Sequence, residues 1–280
     1  MHLETIRQAL QYMEDIFQDK GLDNSQYDAR NIVSQITRIP QLELNLHYHR
    51  LLTSDESATI IQCALRRVSY EPLQYIFGET CFMGFDFQVN HDVLIPRKET
   101  ELLVERVVQD NEGNKTLLDI GTGSGNIALS ISKLRSSWQV DACDISEKAL
   151  QVARTNALSL GVEVNFILSD LFSEIRKSYD LIVSNPPYIS PEDYNNLSPE
   201  VKSFEPQEAL LASENGYYYY RRILHEATGH LNPGGLIYFE IGYNQGSGIN
   251  KIAEKLDYRV VDIQRDYQHF DRIVKLSPKY

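Results

Sequence analysis

Apolar residues in the first quarter of the chain recur at three- and four-residue steps. Leu3, Ile6, Leu10, Met13 and Ile16 draw the stripe of an amphipathic helix, and Gly21 stands where such a helix stops. Ala29, Ile32, Val33 and Ile36 predict a second helix, ended by Pro40, and Ser54 or Asp55 is placed to cap a third through Ile60, Ile61, Ala64 and Leu65. No alternating pattern interrupts them. Residues 1–75 are therefore expected to form a small helical domain whose stripes are accounted for by packing.

The period then changes. Cys81 to Val89 and Asp92 to Ile95 predict a β-hairpin turning at Asn90-His91 and ended by Pro96, within a linker at 76–97. A helix from Glu99 to Asp110 follows, and from there strands and helices alternate. Thr116–Ile120, Trp138–Cys143, Val162–Leu168, Asp180–Ser184 and Leu236–Ile241 are the expected strands, with helices through Ile127–Leu134, Ala149–Ala153 and Tyr217–His230. Tyr258–Ile263 and Arg272–Leu276 are expected to close the sheet as an antiparallel edge pair. Such alternation predicts a mostly parallel sheet covered by helices over residues 98–280. Residues 189–216 are long, polar and without regular pattern, which in a compact domain marks a functional or mobile loop.

Four expected strand ends carry chemistry, and in an open α/β sheet ligands sit at those ends. The first runs into Gly121-Thr122-Gly123-Ser124-Gly125, where glycines let a ligand approach the backbone and the helix behind offers free N–H groups. The second ends in Asp144, 19 residues past Gly125, close to the spacing at which an acid meets ribose hydroxyls. A dinucleotide fingerprint wants glycine or alanine where Asn126 stands, so G-x-G-x-G fits the S-adenosylmethionine version of this fold better. Asp170 falls where an acid accepts from an adenine amino group, and Leu171 offers its backbone and an apolar contact; an ordinary cap is the plain alternative for Asp170.

The fourth strand delivers Asn185-Pro186-Pro187-Tyr188. Two prolines stop a ladder and hold the residues before them extended, so the carbonyls of Asn185 and Pro186 are expected to be rigid and partly unpaired beside an aromatic ring. With a methyl donor across the strand ends, the Asn185 side-chain oxygen and the Pro186 carbonyl each accept one N–H of a planar NH₂ group. The Tyr188 ring lies against that group.

Charge and cysteine usage narrow the picture. A formal net charge of −12 argues against broad binding to nucleic acid. Cys63, Cys81 and Cys143 are odd in number and far apart, which suggests neither a disulfide framework nor a metal cluster and fits a reducing cytosol. No metal is expected: His225-Glu226 with His230 has the wrong spacing for a zinc-protease helix. The N-terminus lacks the apolar core of a signal peptide, and no stretch reaches the roughly 18 apolar residues of a membrane span. A cytoplasmic monomer is the expectation.

Over nearly its whole length the chain resembles the release-factor glutamine methyltransferases, the HemK/PrmC-like enzymes. The resemblance is carried by Pro72 to Glu79, Val93 to Glu101 with Ile95-Pro96-Arg97 at its centre, Leu118 to Gly125, Asn185 to Ile189, Glu205-Pro206, and Pro233-Gly234-Gly235 through Glu240-Ile241-Gly242-Tyr243. Lys98 departs from the family's usual proline, and Leu171 stands where an aromatic is frequent. The resemblance implies a Rossmann-like S-adenosylmethionine-dependent methyltransferase domain joined by the hairpin to a helical substrate-recognition domain. It implies methylation of the glutamine side-chain amide in the Gly-Gly-Gln motif of peptide chain release factors. By it, Gly121, Thr122, Gly123, Ser124, Gly125, Asp144, Asp170, Leu171 and Asn185 bind the cofactor. Asn185, Pro186, Pro187 and Tyr188 hold the glutamine, with Asn185, Pro186 and Tyr188 as catalytic groups. Glutamine methylation of a ribosomal protein and adenine amino-methylation of nucleic acid are the rival activities. A nucleotide-binding module without activity would keep the glycine loop but not need the Asn185–Tyr188 corner.

Overall fold

The computed structural model describes residues 2–279. The chain divides into two compact units, Met1–Gly78 and Glu79–Tyr280.

The first unit is helical, with α1 (Ile6–Lys20), α2 (Ser25–Thr37), a 3₁₀ turn (Gln41–His47), α3 (Ser54–Val68) and α4 (Leu73–Phe77). Thr5 and Gln8 form a capping box at the start of α1, and Gly21 ends it with φ 77°. The cap of α3 is Thr53 rather than Ser54 or Asp55, because Glu56 three residues on reaches back to its N–H. Ile6, Met13, Phe17, Ile32, Val33 and Ile60 are fully buried in one core. Inside the unit Arg67 Nε donates to Asp28 Oδ2 at 2.7 Å, a pair whose partners are almost wholly removed from solvent.

The second unit opens on a hairpin, β1 (Glu79–Phe82) and β2 (Phe85–Gln88), turning at Met83-Gly84 and not at Asn90-His91. Met83 and Gly84 have φ 53° and 77°, the pair of left-handed residues that a two-residue hairpin turn requires. The apolar run expected as one strand thus holds both strands, and Asp92–Ile95 is irregular. Phe82 and Phe87 enter the core of this unit, and Gln88 exchanges hydrogen bonds with the buried Asn156. Of the segment expected as a linker, residues 76–78 fall in the first unit and 79–97 in the second.

After α5 (Lys98–Asp110) come β3 (Thr116–Ile120), α6 (Asn126–Leu134), β4 (Gln139–Asp144), α7 (Glu147–Leu160), β5 (Asn165–Leu168) and β6 (Tyr179–Ser184). The long segment that follows is not featureless: it carries α8 (Pro191–Tyr194) and α9 (Pro199–Phe204). Their signal was Ser190-Pro191 and Ser198-Pro199, each a serine at the cap with proline at the first helical position. Next are α10 (Tyr218–Ala227), β7 (Leu231–Glu240), α11 (Gly246–Lys255), β8 (Tyr258–Arg265) and β9 (Asp271–Pro278). Sequence reading missed α11. Its stripe of Ile249, Ile252 and Ala253 is short, and Gly246 and Gly248 in its first turn argue against a helix.

The seven strands order as β5-β4-β3-β6-β7-β9-β8, parallel except for β9, which runs antiparallel to both neighbours. One core cluster, containing Tyr220, Leu224 and Ile249, fills one face of the sheet; another, containing Leu103, Leu129 and Ile131, fills the opposite face. No helix among the described residues is long and apolar enough to cross a membrane.

Candidate active site

The strand order reverses between β3 and β6: β4 and β5 extend the sheet on one side of β3, β6 and β7 on the other. In an open α/β sheet such a switch point is where the loops leaving the two strands part and form the ligand crevice at their carboxyl ends. Ser184 Oγ donates to Ile120 O at 2.7 Å, tying the two strand ends together where the loops part. The crevice is thus rigid at its floor.

On one side stands the glycine loop. Gly121, Gly123 and Gly125 have φ 72°, 55° and 83°. A Cβ on Gly125 would lie 2.8 Å from Leu129 Cδ1 and 3.2 Å from Ala153 Cβ, so the loop sits close on α6 and α7. Gly121 N and Thr122 N both donate to Cys143 O, at 2.9 and 3.0 Å. Gly123 N donates to Asp144 Oδ2 and Ser146 N to Asp144 Oδ1, each at 2.9 Å. Thr122 Oγ1 donates to the fully buried Asp119 at 2.7 Å. Asn156, buried on α7, donates to Ser124 O at 2.9 Å and to Gln88 O at 3.0 Å. Sequence reading missed both Asp119 and Asn156. Asp119 was legible as an acid inside an apolar strand; Asn156 carried no signal.

Asp170 and Leu171 follow β5. Leu171 is buried with φ 50°, and its carbonyl accepts from Ser169 Oγ at 2.8 Å. The Asp170 carboxylate is exposed and paired with Arg222 Nη1 of α10 at 3.0 and 3.3 Å.

On the other side is the corner after β6. Asn185 is half-buried and Pro186 buried. Asn185 Nδ2 donates to Thr100 Oγ1 of α5 at 3.3 Å. Neither Asn185 Oδ1 nor the Pro186 carbonyl accepts a hydrogen bond from the described residues. The Tyr188 hydroxyl donates to Glu240 Oε1 at the end of β7, at 3.4 Å. The Tyr188 carbonyl accepts from Gln245 Nε2 at 3.2 Å. Gln245 is itself fixed, its Oε1 accepting from Gly242 N at 2.9 Å. Glu240 and Gln245 are further residues that sequence reading did not assign.

Three carboxyl groups in this region are shifted upward. Burial pushes Asp119 up to about 7 against the opposing Thr122 hydroxyl and Ala128 N–H, with Asp144 adding to the rise. Burial raises Asp144 as well, opposed by the N–H groups of Ser146, Gly123 and Ile145. Glu240 is pushed to about 7, again by burial first. Burial also raises the Tyr188 hydroxyl, so that it stays protonated at neutral pH. Such a crevice favours a ligand that brings positive charge.

The segment beyond the corner closes on itself. Ile189 N donates to Leu210 O at 2.9 Å and Ala212 N to Ile189 O at 2.8 Å. Between them Glu205, whose side chain is 1% exposed, accepts from Ile95 N at 3.2 Å and pairs with Arg97. Ile95 and Arg97 thus anchor the loop on the rim of the crevice. Arg97→Ala leaves that carboxylate short of its charged partner, and a loss of about 2 kcal/mol in local stability is expected. Faster proteolysis within 190–206, with the rest of the unit intact, checks it.

The N-terminal part of the chain, residues 8–78, matches the sequence family described as the PrmC N-terminal domain. Residues 97–199 match the family described as the methyltransferase small domain. Among solved structures, a methyltransferase from Pyrococcus furiosus superposes with a TM-score of 0.55 at 19% identity, covering 81% of this chain and 99% of that one. The fold is therefore that of the methyltransferases. The release factor glutamine methyltransferase of Fusobacterium nucleatum is 37% identical over 279 residues, 98% of this chain and 78% of that one. The enzyme of the same description from Streptococcus pneumoniae is 45% identical over 206 residues, 73% of this chain and 74% of that one. With these identities, and a crevice built from the same stretches that carry the resemblance, the chain belongs to the release factor glutamine methyltransferase family.

Proposed function

We propose that the chain transfers a methyl group from S-adenosylmethionine to the side-chain amide nitrogen of the glutamine in the Gly-Gly-Gln motif of peptide chain release factors. The observation that carries this reading is the pair of unsatisfied acceptors, Asn185 Oδ1 and the Pro186 carbonyl, held at the corner after β6 across the switch point from the glycine loop.

The residues fit the cofactor. The positive-φ loop Gly121 to Gly125, with Thr122 and Ser124, leaves backbone close enough for the amino-acid end, and Asp144 keeps acceptor capacity for two ribose hydroxyls. Leu171 would line the base, and Asp170, paired here with Arg222, would accept from the adenine amino group. Bound there, S-adenosylmethionine supplies an electrophilic methyl on a sulfonium, whose charge suits the acidic crevice.

The chain's own work is orientation. An amide nitrogen is a poor nucleophile because its lone pair is delocalised. Asn185 Oδ1 and the Pro186 carbonyl each take one N–H of the acceptor amide, which fixes the nitrogen and favours charge developing on it. Pro187 keeps the corner extended, and the Tyr188 ring, held by Glu240 and Gln245, lies against the amide plane. The methylated amide nitrogen is acidic enough to lose its extra proton to water without a strong base.

The helical unit is read as the part that grips the release factor. The chain is read as a cytoplasmic monomer acting without nucleic acid, and the net charge of −12 supports that last point. Incubation with labelled S-adenosylmethionine, release factor, ribosomal proteins and DNA tests the reading. Label is expected on the release factor and lost when its Gly-Gly-Gln glutamine is changed; label on DNA overturns it. Asp144→Asn is expected to weaken S-adenosylmethionine binding by roughly tenfold or more, since an amide meets ribose hydroxyls with half the acceptors. Titration calorimetry reads that change.

A further inference from the structure

We propose that Asn156 is a positioning residue for the cofactor loop, an inference that rests on the cofactor reading above. Its buried amide fixes the peptide between Ser124 and Gly125 and ties that loop to the β1–β2 hairpin. Asn156 lies on α7 and is fully buried. Its Oδ1 accepts from Gln88 N at 2.7 Å, and its Nδ2 donates to Gln88 O at 3.0 Å and to Ser124 O at 2.9 Å. A backbone N–H can only donate and a carbonyl can only accept, so these three partners leave the amide one orientation. Toward Gln88 it takes the place of a neighbouring strand, offering that residue both an acceptor and a donor. Its other proton goes to the glycine loop.

The loop is where such a hold matters. Gly125 has φ 83°, and glycine adopts the negative value as readily. At its Gly125 end, the peptide between Ser124 and Gly125 can therefore turn over at little cost, which reverses its carbonyl and its N–H. Two hydrogen bonds oppose that. Gly125 N donates to Thr122 O at 2.8 Å within the loop, and Asn156 holds the carbonyl from outside it. Ala153, one turn earlier on the same face of α7, bounds the loop from that side, since a Cβ on Gly125 would lie 3.2 Å from Ala153 Cβ. Ser124 is 1% exposed, so without the Asn156 donor its carbonyl is left buried and unpaired, a state it escapes by turning outward. An oxygen turned outward repels the carboxylate of the amino-acid end that this loop is read to bind.

The hairpin supplies the other end of the tie. Phe82 and Phe87 seat it in the core, and the chain beyond Gln88 runs to Ile95 and Arg97, which hold Glu205 on the rim. One amide thus joins the cofactor side of the crevice to the strand that leads to its acceptor side.

Calorimetric titration of the full chain with S-adenosylhomocysteine, beside thermal unfolding, tests the assignment. Asn156→Ala is expected to raise the Kd roughly tenfold or more. In the methylation assay its KM for S-adenosylmethionine rises with the Kd, while kcat at saturating cofactor falls much less because the Asn185–Tyr188 corner is untouched. Phe87→Leu, which trims a fully buried ring of the same hairpin, is expected to lower Tm with the Kd unchanged. Should Asn156→Ala not fold, judged by circular dichroism, Asn156→Ser decides in its place, since a hydroxyl has one proton for two carbonyls. A folded Asn156 variant with wild-type Kd overturns the assignment, as does Phe87→Leu raising the Kd as far as the Asn156 variant, or a loss confined to kcat. Wild-type protein that does not bind S-adenosylhomocysteine refutes instead the cofactor reading on which the assignment rests.

Discussion

Asn185→Ala is expected to cut methyl transfer by roughly 10²- to 10³-fold, the range seen when one preorganised hydrogen-bonding group aimed at developing charge is removed. The reason lies in geometry. Asn185 sits directly after β6, whose last residue Ser184 is hydrogen-bonded to Ile120 O at 2.7 Å, and it precedes a proline that keeps it extended. Its Nδ2 is already committed to Thr100 at 3.3 Å, so the Oδ1 has one direction left in which to accept. Truncation to the Cβ leaves the backbone corner and the Pro186 carbonyl in place but frees one N–H of the acceptor amide to rotate. The glycine loop and Asp144 are untouched, so cofactor affinity is expected to change little. Single-turnover rates with saturating release factor, beside calorimetric binding of S-adenosylhomocysteine, separate the two effects. A rate within a few-fold of wild type would remove Asn185 from the reaction.

Gly216→Ala is expected to be nearly as damaging, at a residue that touches no reactant. Gly216 has φ 87°, and a Cβ there would lie 2.2 Å from the Tyr188 carbonyl oxygen, 2.6 Å from Gln245 Nε2 and 3.1 Å from the Tyr188 carbonyl carbon. Two of those atoms are backbone, which cannot swing aside as a side-chain tip can. The positive φ adds strain of its own for any residue with a Cβ. Together these amount to roughly 2–4 kcal/mol. Relief comes through displacing Tyr188, since Gln245 holds both the Tyr188 carbonyl at 3.2 Å and Gly216 O at 3.4 Å. A fall in Tm of several degrees and a loss of kcat exceeding any change in cofactor affinity are expected, read by calorimetry and by the methylation assay. Gly229→Ala is the control. It has open space around its Cβ and no positive φ, and should cost little.

The parallel sheet and both halves of the crevice were legible because their signals are local. β3, β4 and β6 are strands of five or six residues that end in a glycine, an acid or an Asn-Pro pair, and the bounds read from sequence differ from the structure by a residue at most. What failed were patterns in which two local signals compete. Met83-Gly84 turned the chain inside a run that alternation made look like a single strand, because methionine at a left-handed position carries no turn signature. Gly246 and Gly248 hid α11, whose stability comes from packing Ile249 and Ala253 into the core. The supporting members of the site were invisible for a different reason. Thr100, Asn156, Gln245 and Glu240 act across large sequence separations, 85 residues for Asn185 with Thr100 and 52 for Tyr188 with Glu240. No spacing rule links such positions. Glu205 was seen only as half of a dipeptide, and its hold on Ile95 and Arg97 spans more than a hundred residues.

The central claim is that the corner Asn185-Pro186-Pro187-Tyr188 holds a protein glutamine amide for methylation. Tandem mass spectrometry of release factor treated with S-adenosylmethionine and the protein, beside an Asn185→Ala reaction, tests it most directly. A single added methyl on the side-chain nitrogen of the Gly-Gly-Gln glutamine, absent with Asn185→Ala, is the predicted result. A methyl on another residue, or on that glutamine at equal yield with Asn185→Ala, would contradict it.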